Sequence, residues 1–545
     1  MPPGVVKLSR RVGLIGTCMT DAWWKSAVLY QIYPRSFQDS DGDGVGDLRG
    51  IIARLPHLSE LGVDALWLSP IFASPMADFG YDISDYTAID PLFGSMADFD
   101  ALLSAAHARG LKVILDFVPN HSSDRHPWFR ESRASRQNAK RNWYIWRDPA
   151  LGGGPPNNWL SEFGGSAWQY DETTGQYYYH AFLKQQPDLN WRNPQVVAAM
   201  HDVMRFWLKR GVDGFRLDAI WHLIEDDQLR DNPRNPDYRH ADPPHHQHIL
   251  LYSGDRPEVH DALREMRRVL DEFPDRLMIG EIYLPFERLM TYYGRALDET
   301  NFPFNFGLLQ TPWRARDIAA LIDRYEGLLP QGAWPNWVLG NHDRPRVLSR
   351  VGAPQARIAA MLLLTLRGTP TLYYGDEIGL PQVAIPPERV RDPFEKNVPG
   401  FGLGRDGCRT PMQWDASRFA GFSNAEPWLP LTDDAAHRNV ACERADPGSF
   451  YNLYRKLLAL RRAHPGLATG SYRPVAAEGD VLAYRREQSG ERFFVALNFG
   501  AAPASMVLPD GHGTVALSVL SDRAGDTVGG RFELAGNDGL LIKLD

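Results

Sequence analysis

Short apolar runs, rich in β-branched and aromatic residues, alternate with helical patterns over most of the chain. The runs are AVLYQIY from Ala27, VDALWLS from Val63, LKVILDFV from Leu111, VDGFRLD from Val212, RLMIGEI from Arg276, FNFGLL from Phe304, NWVLGN from Asn336 and TPTLYYG from Thr369. They are largely apolar without strict alternation, the pattern of strands covered on both faces. Between them the apolar positions take a helical period, as in FDALLSAAHARG, which closes on Gly110 as a helix C-terminus does. Eight such strands with interposed helices predict an α/β chain folded as a closed parallel (β/α)8 TIM barrel.

The rhythm breaks in two places. Residues 122–194, rich in Trp, Tyr, Gly and Asn, are too long for a plain loop after strand 3. They predict an inserted subdomain over the barrel's end. A second insertion, from about 380 to 430, follows the eighth strand, and FYNLYRKLLALRRAHPG is the helix that ends the barrel. From about 470 onward the runs VLAYRRE, RFFVALNF, SMVLP and TVALSVL are short and carry no helical period, which predicts a C-terminal antiparallel β domain. The expected organisation is a barrel over 21–121 and 195–468, an inserted subdomain over 122–194 and a β domain over 469–545. Residues 1–20 read as a disordered N-terminal extension, or as sequence ahead of a true start at Met19.

Composition narrows the function classes. A length of 545 residues exceeds one compact core. A net charge of -8 gives no basic surface for nucleic acid and no pull toward anionic membranes. The longest apolar run, Ile358 to Leu366, is too short to span a bilayer and reads as a buried helix. Lys7, Arg10 and Arg11 precede only a short VGLIG stretch, so no signal peptide is predicted. Three cysteines do not make a disulfide framework and point to a reducing, cytoplasmic setting.

The candidate chemistry lies at strand ends. Asp218 in GFRLDAIWH, Glu281 in LMIGEIYL and Asp343 in NWVLGNHD each follow an apolar strand. Carboxylates at several strand ends converge at the C-terminal face of a barrel, where such folds place their active sites. A carboxylate pair about 5 Å apart is the equipment for retaining glycoside hydrolysis. Arg216 precedes Asp218 by two residues, on the same strand face, and a guanidinium there keeps a nucleophilic carboxylate ionised. Glu281 needs a raised pKa to act as an acid. In DSDGDGVGD, Asp39, Asp41, Asp43 and Asp47 alternate with other residues. With the Val45 carbonyl they offer oxygen ligands at the spacing that suits Ca²⁺; the alternative is an Asp/Gly turn without metal. The histidines at 240, 245, 246 and 248 fall in a Pro-rich loop and read as part of a lid rather than a metal site.

The blocks GVDALWLSPIF, DFVPNH, QPDLN, GFRLDAIWH, GEIYL, LGNHDRPR and GTPTLYYGDEIGL, followed by GRDGCRTPMQWD, resemble those of the α-glucosidases of the α-amylase superfamily, near the oligo-1,6-glucosidase branch. The resemblance implies Asp218 as nucleophile, Glu281 as acid/base and Asp343 as binder of the sugar 2- and 3-hydroxyls. It implies sugar-binding roles for His121 and His342, and a non-reducing-end pocket of Asp78, Tyr81 and Arg409, with Arg405 as the alternative to Arg409. Phe182 reads as a stacking platform or a core aromatic. A structural calcium ion and no organic cofactor are implied. The expected partner is a short α-glucoside, cleaved one glucose at a time. Ala219, where the α-1,6-cleaving relatives carry valine, points to α-1,4 linkages. A glucosyltransferase or isomerase of the same superfamily shares the three acids and is the competing reading. A non-catalytic relative, such as the heavy subunit of an amino-acid transporter, is disfavoured because all three acids are kept.

Overall fold

The computed structural model describes residues 22–520 and 523–545, so the segment 1–20 and Cys18 lie outside the described residues. Eight parallel strands form the central sheet: β1 (Leu29–Ile32), β2 (Ala65–Leu68), β3 (Lys112–Phe117), β4 (Gly214–Leu217), β5 (Leu277–Gly280), β6 (Phe302–Pro303), β7 (Asn336–Val338) and β8 (Thr369–Tyr373). Their order is β6-β5-β4-β3-β2-β1-β8-β7, so neighbours in sequence are neighbours in space and β8 closes onto β1. Among the described residues no ladder joins β6 to β7. The predicted barrel is therefore present with one seam unpaired. The sixth strand sits earlier than the pattern suggested: Phe302–Pro303 is the strand, and Gly307–Gln310 within FNFGLL is a helical turn.

Helices cover the sheet: α1 (Leu48–Leu61), α2 (Met96–His107), α3 (Pro194–Arg210), α4 (Val259–Asp271), α5 (Ala315–Leu328), α6 (Ala353–Thr365) and α7 (Phe450–Ala463). Local chemistry sets their ends. Ser95 and Asp98 form a reciprocal capping box at the start of α2. Asn193 caps α3 with Pro194 at its first position, and Gly211 closes it in the left-handed conformation at φ 106°. Helix α2 stops at His107, ahead of Gly110. From Ile358 onward helix α6 is apolar and buried, and it packs between the barrel and the C-terminal sheet.

Strands Ser471–Glu478, Val481–Gln488, Glu491–Asn498, Ala504–Ser518, Thr527–Leu534 and Gly539–Leu544 make the C-terminal antiparallel sheet. SMVLP and TVALSVL are one strand here, its register shifted between Val507 and His512. Buried Arg486 stitches this sheet to the barrel through the carbonyls of Thr365 and Gly470, while Arg461 on α7 ties the barrel to itself through Leu364, Leu366 and Gly368. The stretch after β3 carries a helix, Pro127–Ala134, and a three-stranded antiparallel sheet around its own cluster of Ile145, Trp159, Trp168 and Tyr179.

Candidate active site

Register puts the key side chains level. Asp116 on β3 pairs with Arg216 on β4, and Leu217 pairs with Gly280 on β5. Asp218 and Glu281 are thus the first residues beyond two adjacent strand ends. The ladder runs on into both: Asp218 N–H donates to Phe117 O and Glu281 N–H to Leu217 O, each at 2.9 Å. Gly280 has to lack a side chain, because a Cβ there would stand 2.7 Å from Ile220 Cδ1 and 2.9 Å from Thr300 Cγ2.

One guanidinium serves three acids. Arg216 Nη1 lies 2.6 Å from Asp218 Oδ1 and 2.7 Å from Asp116 Oδ1, and Nη2 lies 2.8 Å from Glu281 Oε2. Both ends of the fork are taken, so the Asp218 and Glu281 carboxyls can be no further apart than two hydrogen bonds and the width of the fork. Glu281 Oε2 also accepts from Ala219 N–H at 3.1 Å, one residue from Asp218. Burial pushes Glu281 up to about 8, against the pull of Arg216 and aided by the Asp218 charge. Burial raises Asp218 to about 7, with Arg216 again opposing and Asp116 adding to the rise. Arg216 thus contacts the proposed nucleophile as expected, but it is divided among three carboxyls and does not hold Asp218 low. The higher affinity for a proton falls on Glu281, the order an acid and a nucleophile require. Asp343 goes the other way. Burial raises it, but His342, Arg405, Arg409 and Arg216 outweigh burial and hold it well below the usual carboxylate range.

Ion pairs gather Asp78, Asp392 and Asp343 around two arginines. Arg405 Nη2 is 2.8 Å from Asp78 Oδ1 and 2.7 Å from Asp392 Oδ1, and its Nη1 is 3.2 Å from Asp343 Oδ1. Arg409 donates from Nε to His342 O at 2.7 Å and from Nη2 to Asp343 Oδ1 at 2.9 Å. Of the two arginines, Arg405 thus pairs with Asp78, and Arg409 with His342 and Asp343. Tyr81 lies parallel to His342, with ring centres 5.4 Å apart and its hydroxyl 2.6 Å from His342 Nε2, so the two rings meet edge to edge. His121 is buried, 3.1 Å from Gln186 Nε2, and burial takes its pKa down to about 3. Phe182 packs against His121 at 5.2 Å and Phe163 lies under Arg405 at 5.1 Å. A cavity of about 680 Å³ opens on a wall that includes Phe79, Phe163, Phe182 and Arg391, and none of the three acids lines it.

Residues 31–470 match the family model described as the α-amylase catalytic domain. The chain belongs to that family. A probable α-glucosidase of Rhizobium meliloti is 46% identical over 90% of this chain and 93% of its own length. An oligo-1,6-glucosidase of Parageobacillus thermoglucosidasius is 41% identical over 90% and 93%. Among solved structures, an α-glucosyl transfer enzyme superposes with a TM-score of 0.91 at 44% identity, covering 96% of this chain and all of its own. This α-amylase-family member is accordingly a glycoside hydrolase by family and fold.

The aspartate loop fits a cation in part. Carboxylate oxygens of Asp39, Asp41 and Asp43 lie within 4.8 Å of one another. Desolvation and the Asp43 charge raise the Asp41 carboxyl, a strain a cation would relieve. Asp47 is otherwise engaged: it caps α1 through Gly50 N–H and accepts from Ser40 N–H and Oγ. Val45 lies between, its N–H donating to Asp43 at 2.7 Å. Among the described residues the histidines of 240–248 form no ligand group.

Two members of the site escaped the sequence reading. Asp116 ends β3 in LDFVPNH and was reachable by the same strand-end rule as the other acids. Gln186, which reaches Asp78 at 3.3 Å and His121, has no such signal. Arg405, named from the sequence as the alternative to Arg409, is the one that pairs with Asp78.

Proposed function

We propose that this chain is a retaining, exo-acting α-glucosidase that releases glucose from the non-reducing end of short α-glucosides. The observation that carries the reading is Arg216 bridging Asp218 and Glu281, with Arg405 joining Asp343 to Asp78. Asp218 attacks the anomeric carbon while Glu281 gives its proton to the departing oxygen, leaving a β-glucosyl ester on Asp218. Glu281, now a carboxylate, takes a proton from water, and the water oxygen displaces Asp218 to give α-glucose. Asp343, ionised throughout, binds the sugar hydroxyls and supports positive charge on the ring. NMR of the first products from maltose, isomaltose, sucrose and trehalose tests this. Newly formed α-glucose supports it, and β-glucose as the first product rules out the retaining mechanism. Similarity to an α-glucosyl transfer enzyme favours transfer as a second outlet of the same intermediate. An added alcohol should then capture glucose as an α-glucoside.

An α-1,4 preference rests on Ala219. The residue is buried and left-handed, at φ 46° and ψ 39°. Ala219→Val is expected to move the maltose/isomaltose ratio of kcat/KM about tenfold toward isomaltose, since two methyl groups in a pocket discriminate by roughly 1–3 kcal/mol. It should also lower Tm by a few degrees, because a β-branched residue is strained in this conformation. An unchanged ratio would remove the linkage argument.

A structural Ca²⁺ is proposed for Asp39, Asp41 and Asp43, remote in role from the chemistry. Chelation should lower Tm by several degrees and leave kcat of the surviving enzyme unchanged; a Tm indifferent to both chelator and added calcium would count against the ion. The cytoplasm is the proposed location, on the sparse cysteine content; Cys408 and Cys442 are both free. Among the described residues no helix is long and apolar enough to cross a membrane.

A further inference from the structure

A chain of hydrogen bonds runs from the middle of β1 to the nucleophile, and its direction follows from the carboxylate at one end. Asp116 Oδ1 accepts from Arg216 Nη1 at 2.7 Å. Asp116 Oδ2 accepts from Trp67 Nε1 at 3.1 Å and from the Tyr81 hydroxyl at 3.0 Å. Burial raises Asp116 to about 6, against the pull of Arg216; above that pH it is ionised and only accepts, so the Tyr81 proton points at Asp116. The Tyr81 oxygen must then accept at its 2.6 Å contact with His342 Nε2, which puts the ring proton on Nε2. That leaves His342 Nδ1 bare and in need of a donor. Gln31 Nε2 stands 2.8 Å away and also reaches Ser69 Oγ at 3.1 Å. The opposite amide orientation would present a carbonyl to Nδ1 and require the proton there. Nε2 and the Tyr81 oxygen would then meet as two acceptors. Gln31 is fully buried, and its Oε1 has no partner among the described residues, so the site uses the amino end of this amide alone. Burial keeps the His342 ring neutral, with a pKa down to about 3.

We infer that Gln31 is a positioning residue: its amide fixes His342 in the Nε2–H tautomer and, through His342 and Tyr81, orders the donors that hold Asp116 as an acceptor for Arg216. The catalytic consequence rests on the α-glucosidase reading; the order of the hydrogen bonds does not. Gln31 itself is remote from the sugar. It acts by deciding whether His342 faces Tyr81, and Tyr81 faces Asp116, as donors. A wrong tautomer of an otherwise intact histidine is costly in catalysis.

The test is ¹⁵N-histidine NMR on the intact wild-type enzyme, with the His342 signals identified by their loss in His342→Asn. The expected spectrum has a protonated Nε2 and a bare Nδ1 from about pH 7 to about pH 8, where Asp116 is ionised. Gln31→Glu supplies the second arm, because a carboxylate at this place accepts from Nδ1 and reverses the tautomer. It should lose about 100-fold or more in kcat with little change in KM, while Gln31→Leu, which removes the donor without reversing the tautomer, loses about tenfold. An Nδ1–H tautomer or an imidazolium in the wild type overturns the inference. So does a folded Gln31→Glu enzyme with the wild-type tautomer and rate. Should that variant fail to fold, the wild-type spectrum decides. A wild type with the expected tautomer but no action on α-glucosides would defeat the functional reading and leave the hydrogen-bond order standing.

Discussion

Asp218→Asn is expected to lower kcat/KM on p-nitrophenyl α-glucoside by on the order of 10⁴-fold or more, with the fold and ligand binding kept. An amide cannot form the glucosyl ester, so the loss falls on the first chemical step and affects good and poor leaving groups alike. The structure adds a second readout. The Asp218 charge helps to raise Glu281, so its removal lowers the Glu281 pKa from about 8. Any residual activity should therefore fall off at a lower pH than in the wild type. The smaller Asp218→Gly leaves room for azide, which should attack from the vacated face and give the β-glucosyl azide. A near-normal rate in Asp218→Asn would sink the mechanism, and α-glucosyl azide from Asp218→Gly would sink the assignment of that face.

Glu281→Gln separates the acid role from the base role. On maltose, whose leaving group needs a proton, kcat/KM should fall by roughly 10²–10⁴-fold. On α-glucosyl fluoride, which departs without one, kcat/KM should stay near wild type while kcat drops, because the glucosyl ester then waits for an unassisted water. The sign of the pH dependence follows from the raised pKa. Glu281 must be protonated to act as an acid, so wild-type kcat/KM on maltose declines as pH rises past about 8. Asp218 must be ionised, so it also declines as pH falls below about 7. The two limbs belong to a pair that shares Arg216. With the fluoride, the Glu281→Gln enzyme should keep the acid limb and lose the alkaline one. Azide should restore turnover as the α-glucosyl azide, the opposite anomer from Asp218→Gly. Equal losses on maltose and the fluoride would show that Glu281 is not the acid.

The strand runs, the alternation with helices and the three acids were legible because each is written in a short stretch. An apolar segment of four to six residues declares a buried strand, and a carboxylate just past it declares a strand end. Connection lengths showed where the insertion and the C-terminal sheet begin to depart from the barrel. The same locality explains the misses. FNFGLL is apolar enough for a strand, yet its second half turns into Gly307–Gln310 because β6 ends at Pro303. SMVLP and TVALSVL look like two strands because DGHG between them reads as a turn, whereas pairing with Thr527–Leu534 carries one strand through the register shift.

The sequence by itself determined the barrel, the family and the identity of Asp218, Glu281 and Asp343 as the candidate acids. Only the tertiary structure decided how charge is shared among them. It buried Asp218 and gave Arg216 a third claimant in Asp116, and burial first, Asp116 second, raised Asp218 to about 7. It also gave Asp78 to Arg405, a partner 327 positions away, and left Arg409 to His342 and Asp343. The physical reason is reach. Periodicity and strand ends are properties of a few consecutive residues. A pKa or an ion pair depends on every charge within a few ångströms, most of them brought there by the closing of the barrel.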